Sequence, residues 1–301
     1  MPAIDPTPQV RPFDVLVTGF GPFARYAVNP SWLAVKPLHN TILRVDTSAE
    51  STPLSDRVAL IGSIATREIR ITVLQVPVTY EDVLTIVPGL HARPPVLPST
   101  ADSDSSCFST SSPPDGYDLI LHVGVAGRGP LRMEKLGHKF GYNMKDARGC
   151  LAPIVCIARD ETHHALPEPS EAELMERARL GGNYSIETHI DGSEHPKRGF
   201  GKGYEAFPEE IHTDVDVEKL VHHLKRCGIE QIYSSLDAGH YLCDFIYYCS
   251  LAESKRAKSD KSTSSRVLFL HCPPVDQPLS TEEVTDAIKK LIIWLCSSSA
   301  L

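Results

Sequence analysis

Along the chain, short β-branched and aliphatic runs alternate with segments whose apolar positions recur at helical spacing. FDVLVTGF at 13–20 predicts a strand, and Asn29-Pro30-Ser31 then supplies the polar cap and first-turn proline that open a helix. IRITVLQVPV reads as a second strand, YEDVLTIVPGL as a helix start or an ordered loop ended by Pro88 and Gly89, and YDLILHVGV at 117–125 as a buried third strand. In DVEKLVHHLKRCG, Val217, Leu220, Val221 and Leu224 share one helical face, Gly228 sits just past the end, and IEQIYSSL follows as a strand. VLFLH is the last strand. The helix behind it is capped by Ser280 and Glu283 and carries Val284, Ile288, Leu291, Ile292 and Leu295 on one stripe. This alternation predicts an α/β fold, a three-layer α/β/α sandwich with a mostly parallel central sheet, and places catalytic groups at strand ends and in the loops that follow them.

Two stretches break the rhythm. Residues 92–116, with RPPVLPSTADSDSSCFSTSSPPDG, are too rich in proline, serine and charge to bury a face and read as a mobile insertion. Residues 160–213 are also long and polar; Ser170 and Glu173 form a capping box for a short helix through ELMERARL, but no core element is expected there. The expectation is therefore one domain over 12–298 with polar insertions near 92–116 and 160–213.

Composition narrows the function classes. A 301-residue chain with 42% apolar and 23% charged residues is ordinary for a globular protein, and its net charge of −8 argues against nucleic acid as a partner, since phosphate binding draws on Lys and Arg. The N-terminal MPAIDPTPQVRPF lacks a basic start and an apolar run, and no long apolar stretch follows, so a cytoplasmic protein without a membrane partner is expected. The eight cysteines have no repeated spacing and read as reduced thiols. Cys150 and Cys156 stand too far apart for a zinc knuckle, and the doublets His163/His164 and His222/His223 point their side chains apart, so neither a metal nor a cofactor is expected.

The chemistry concentrates in SSLDAGHYLCDFIYYCSL at 234–251, which carries Cys243 from a β-type segment into an amphipathic one. Unpaired N–H groups and the positive dipole end help a thiol in the first turns of a helix toward thiolate. His271 lies at the end of the strand-like VLFLHCPP, and folding can bring such a pair together for acyl transfer. Singly, each residue has a plainer reading: Cys243 as a buried helix cysteine, His271 as a core histidine, Glu134 in a surface pair with Lys135, Arg148 as a loop charge, and Phe20 and Phe23 as packing.

Their joint occurrence resembles the pyroglutamyl peptidase I family, cysteine peptidases that remove N-terminal 5-oxoproline. The likeness rests on VTGFGPF with NPSW at 17–32, HVGVAGRGPLRMEKLGHKFGY at 122–142, DAGHYLCDFIYYCSL at 237–251 and FLHCPP at 269–274. It implies Cys243 as nucleophile, His271 as general base and later acid, and Glu134 as the carboxylate that orients the imidazole. It further implies Arg148 beside the oxyanion, Phe20 and Phe23 flanking the pyrrolidone ring, Tyr241 completing the apolar wall, the Val125 backbone meeting the lactam, and Asn29 organising the phenylalanine loop. The implied partners are peptides with an N-terminal pyroglutamate. Cys249 and Cys272 are expected to pack. The chain departs from the family at Ala24-Arg25, where glycine is common, and in its two insertions. A binding module that kept the pocket, or a hydrolase of another lactam or small acyl amide, stands as the alternative.

Overall fold

All eight residues of Phe13–Phe20 (β1) are buried, because this strand runs parallel to Thr66–Val76 (β3) on one side and to Leu119–Val125 (β4) on the other. Strands covered on both faces are the ones whose sequences read as unbroken apolar runs. The computed structural model describes residues 11–46, 66–98, 112–155, 196–259 and 264–297. Within them a seven-stranded sheet adds Ile42–Asp46 (β2), Leu131–Glu134 (β5), Ile232–Ser235 (β8) and Arg266–Cys272 (β9), in the order β2-β3-β1-β4-β9-β5-β8. Pairs β2–β3 and β5–β9 are antiparallel and the others parallel, so the sheet is mostly parallel as expected.

Helices cover both faces. Pro30–Val35 (α1), Val217–Arg226 (α3) and Thr281–Cys296 (α5) close one side over Val15, Val17, Leu121, Val123, Leu268 and Leu270. Tyr80–Leu90 (α2) and Leu242–Ser259 (α4) close the other, over residues that alternate with these, including Val267 and Phe269. The stripe Val284, Ile288, Leu291, Ile292 and Leu295 is buried, each side chain worth about 1.5–3 kcal/mol of transfer free energy. The Ser280–Glu283 capping box is complete, and Gly228 takes φ +86° just past α3.

Several expectations change. The strand IRITVLQVPV begins three residues earlier, at Thr66, and β2 was not anticipated because Val45 alone of its five residues is buried. YEDVLTIVPGL is helical through Leu90 with Pro88 inside, which a last turn tolerates, and Gly89 is needed because a Cβ there would stand 2.8 Å from the Val96 carbonyl oxygen. The larger correction concerns 160–213. Its described part, 196–213, enters the core: Glu210–His212 (β7) pairs antiparallel with Leu136–His138 (β6), and Phe200, Tyr204 and Ile211 are buried. Phe200 stacks on Phe245 of α4 with centroids 4.1 Å apart, so a few aromatic anchors hold a polar segment down. The Ser170/Glu173 capping box and the 99–111 part of the first insertion lie outside the described residues.

Candidate functional site

Cys243 is the second residue of α4, in the first turn where the sequence pattern places it, and it is partly exposed. The sheet beneath it is shaped for a sulfur atom. A Cβ built on Gly124 would lie 2.8 Å from Cys243 Sγ and 2.7 Å from Phe269 Cζ, so only glycine leaves that room. Gly124 pairs in register with His271 on the neighbouring parallel strand, and paired residues project to the same face. The thiol of α4 and the imidazole of β9 thus share one face of the sheet at the carboxyl ends of adjacent strands.

Behind the imidazole, β5 runs antiparallel to β9 with Glu134 opposite Phe269 and Arg132 opposite His271. His271 Nδ1 donates to Glu134 Oε1 at 2.7 Å, with Glu134 fully buried and His271 nearly so. Because Nδ1 carries that proton, Nε2 is the ring atom left to accept one. Tyr247 on α4 donates to the Glu134 carbonyl oxygen at 2.9 Å; burial first, and then the charge of Glu134, push its phenol well above the usual range.

The residues assigned to a substrate wall come together. Phe20, Phe23 and Tyr241 are buried in one cluster, against which Cys243 packs, and the Phe23 and Tyr241 rings lie 5.6 Å apart. Asn29 organises their loop: Nδ2 donates to the Gly21 carbonyl at 3.2 Å, while Oδ1 accepts from the Ser31 backbone N–H and hydroxyl. Ser31 Oγ accepts in turn from the Phe20 N–H at 3.0 Å. At the departure Ala24-Arg25, Ala24 takes φ +50°, a left-handed conformation in which glycine is favoured. Val125 ends β4 opposite Cys272; the β1 ladder stops three residues earlier, at His122.

Arg148 is placed differently from the other assigned residues. Its guanidinium is exposed and pairs with Asp82 at 2.9 Å and Glu81 at 3.6 Å, both in the first turn of α2. Its loop stays close to the aromatic wall, since the carbonyl of Lys145 accepts from Tyr241 O–H and that of Met144 from Tyr80 O–H. Cys249 and Cys272 are buried, and burial pushes the Cys249 thiol up to about 12.

Two features were missed. Arg132 stands two residues before Glu134, and on a strand that spacing alone puts both on one face. His138, His240 and Asp244 also gather, with ligand atoms within 4.8 Å of one another, a spacing that could hold a metal ion. Hydrogen bonds already occupy that cluster: buried Asp244 accepts from the His138 N–H and Nδ1 and from Tyr142 O–H, and His240 Nδ1 donates to the Phe140 carbonyl. Burial alone would pull the His138 imidazole down, but the hydrogen bond and charge of Asp244 outweigh it, and its pKa is raised.

No protein-family model matches the chain. Pyroglutamyl-peptidase 1 of Rattus norvegicus and that of Homo sapiens are each 26% identical to it over 281 residues, covering 92% of this chain and 87% of theirs. Pyroglutamyl peptidase I of Bacillus amyloliquefaciens superposes with a TM-score of 0.53 at 19% identity, over 93% of this chain and 95% of the other. Pyrrolidone carboxyl peptidase of Fervidobacterium islandicum gives 0.53 at 19% identity, over 94% and 98%. Along nearly its whole length the chain is thus similar in sequence to the pyroglutamyl-peptidase 1 enzymes, and it shares its fold with the solved pyroglutamyl peptidase I structures.

Proposed function

We propose that this protein is a cysteine-type omega-peptidase that removes N-terminal pyroglutamate from peptides through a thioester on Cys243. The observation that carries the reading is the buried His271–Glu134 hydrogen bond, with Cys243 Sγ lodged over Gly124 on the adjoining strand. His271 Nε2 takes the thiol proton as Sγ attacks the 5-oxoproline carbonyl, then delivers it to the departing amine; water, activated by the same imidazole, hydrolyses the thioester. Glu134 holds the tautomer and balances the transient imidazolium.

A lactam has no charged amine, so its site needs flat apolar walls and a few backbone partners. Phe20, Phe23 and Tyr241 supply the walls, Asn29 fixes their loop, and the Val125 backbone beyond the β1 ladder supplies partners for the lactam N–H and C=O. The Cys243 backbone N–H, at the start of α4, faces the oxyanion; Arg148 joins it by leaving Asp82. A cytoplasmic place agrees with the free thiols Cys150, Cys227, Cys249 and Cys296. Among the described residues no helix is long and apolar enough to cross a membrane.

Hydrolysis of a fluorogenic pyroglutamyl amide beside its prolyl analogue tests the reading. Release from the pyroglutamyl compound alone, abolished in Cys243→Ala, is expected. Equal release from both, or release that survives Cys243→Ala, overturns it.

A further inference from the structure

The mechanism above leaves one charged side chain beside the imidazole without a role. Arg132 is largely buried, its guanidinium 3.5 Å from Glu134 Oε1 through Nε and 3.4 Å from His271 Nδ1 through a terminal nitrogen. Antiparallel pairing opposite His271 fixes it there, on the same face of β5 as Glu134. Nδ1 already donates to Glu134, so it has no lone pair to offer Arg132, and the short approach is that of a cation to an imidazole that turns cationic during turnover. Among the described residues, Arg132 Nε and Glu134 Oε2 are both buried without a hydrogen-bond partner, so neither side chain is fully spent on hydrogen bonds, and the ion pair between them runs through Nε and Oε1.

Around His271, β5 contributes the charged Glu134 and Arg132, β9 the uncharged Phe269 ring, and β4 the uncharged Gly124, over which the titratable Cys243 thiol of α4 lies. A lone carboxylate favours the imidazolium; a guanidinium sharing the same carboxylate offsets part of that effect. From this geometry we infer that Arg132 is a positioning residue that restrains the imidazolium of His271, so that the thiol proton is taken up as the Cys243–carbon bond forms and is passed readily to the leaving amine. The role rests on the peptidase reading for its purpose, though not for its measurement. In the step itself the Sγ–H bond breaks and the proton goes to Nε2; when the carbon–nitrogen bond of the tetrahedral intermediate breaks, that proton goes to the amine nitrogen. A more weakly held proton speeds the second transfer, which matters for an amine and little for a good leaving group.

The test is an NMR titration of ¹³C-Cε1-histidine in Cys243→Ala protein, where coupling to the thiol is gone, with the His271 signal assigned by its loss in His271→Gln. Adding Arg132→Gln is expected to move the His271 midpoint up by about one pH unit or more, and Arg132→Lys to return it toward the parent. An unchanged or lowered midpoint in Arg132→Gln overturns the inference; Arg132→Met is read the same way if the glutamine variant does not fold. No substrate enters this titration, so its failure is distinct from a failure of the peptidase assay. With Cys243 intact, Arg132→Gln is further expected to lower the ratio of pyroglutamyl-amide to activated-ester hydrolysis several-fold, and an unchanged ratio would leave Arg132 a merely structural residue.

Discussion

The two faces of the sheet are built from different materials. Under α1, α3 and α5 the buried side chains are mostly aliphatic, with Leu220, Leu224, Ile288, Leu291 and Leu295 closing on Val15, Val17 and Leu121. Under α2 and α4 the core turns aromatic and polar: Phe245, Tyr247, Tyr248, Phe200 and Tyr142 share the space with buried His122, Glu134, Asp244 and His271. The first face holds the sheet together by transfer of apolar surface, which is non-directional and tolerant. The second face must satisfy each buried polar group by hydrogen bonding, and chemistry is built from the groups so held. Strand alternation lets one chain serve both purposes, since Leu270 and Cys272 belong to the aliphatic side and Phe269 and His271 to the other.

Variants on each face should separate these roles. The largest effect is expected from Cys243→Ala, with turnover of a pyroglutamyl amide falling by about 10⁴-fold or more at unchanged thermal stability, and from Glu134→Gln, with kcat falling by roughly 10²- to 10⁴-fold. Gly124→Ala sets a Cβ against the sulfur and should cost on the order of 10²-fold in kcat/KM, read by the same assay. On the aliphatic face, Leu291→Ala should cost about 2–5 kcal/mol in denaturant unfolding while the folded variant keeps its kcat. A kcat loss that tracks this destabilisation would erase the distinction between the faces.

Acid should strike the polar face first. His91 and His122 are buried and neutral, each pushed down to about 3 by burial, with Arg93 adding to the effect at His91 and His91 at His122. His91 Nε2 bonds Ser250, and His122 Nδ1 bonds Thr18. Unfolding releases them to the ordinary histidine value of about 6.5, so the unfolded chain binds more protons below it. Stability contributed by the neutral forms is complete above pH ~6.5 and falls as pH drops toward the folded value, by up to about 1.4 kcal/mol per pH unit per histidine. Unfolding free energies across that window should decline in the parent and decline less steeply in His91→Gln. The smallest expected effect belongs to the aliphatic face: Ser280→Ala removes one half of the capping box and should cost about 1 kcal/mol, with activity untouched.

The difference between the faces also explains what the sequence revealed. The helices of the aliphatic face were legible in their starts and buried stripes, because Val217, Leu220, Val221 and Leu224 repeat at helical spacing and polar caps open the helices. Segment 196–213 was misjudged because widely spaced aromatics, Phe200 and Tyr204, bury it without any periodic pattern. The candidates Cys243, His271 and Glu134 come from their motifs, but nothing in linear order shows that Gly124 makes room for the sulfur or that Arg132 reaches the imidazole. The first depends on how α4 packs over β4, and the second on the register of β5 against β9.

Mass spectrometry of protein quenched in acid during turnover of a pyroglutamyl amide tests the central claim most directly. A pyroglutamyl thioester on the peptide that contains Cys243, absent in Cys243→Ala, is predicted. Product release with the acyl group on another residue, or an unacylated Cys243 under conditions where an activated pyroglutamyl ester is consumed, would contradict it.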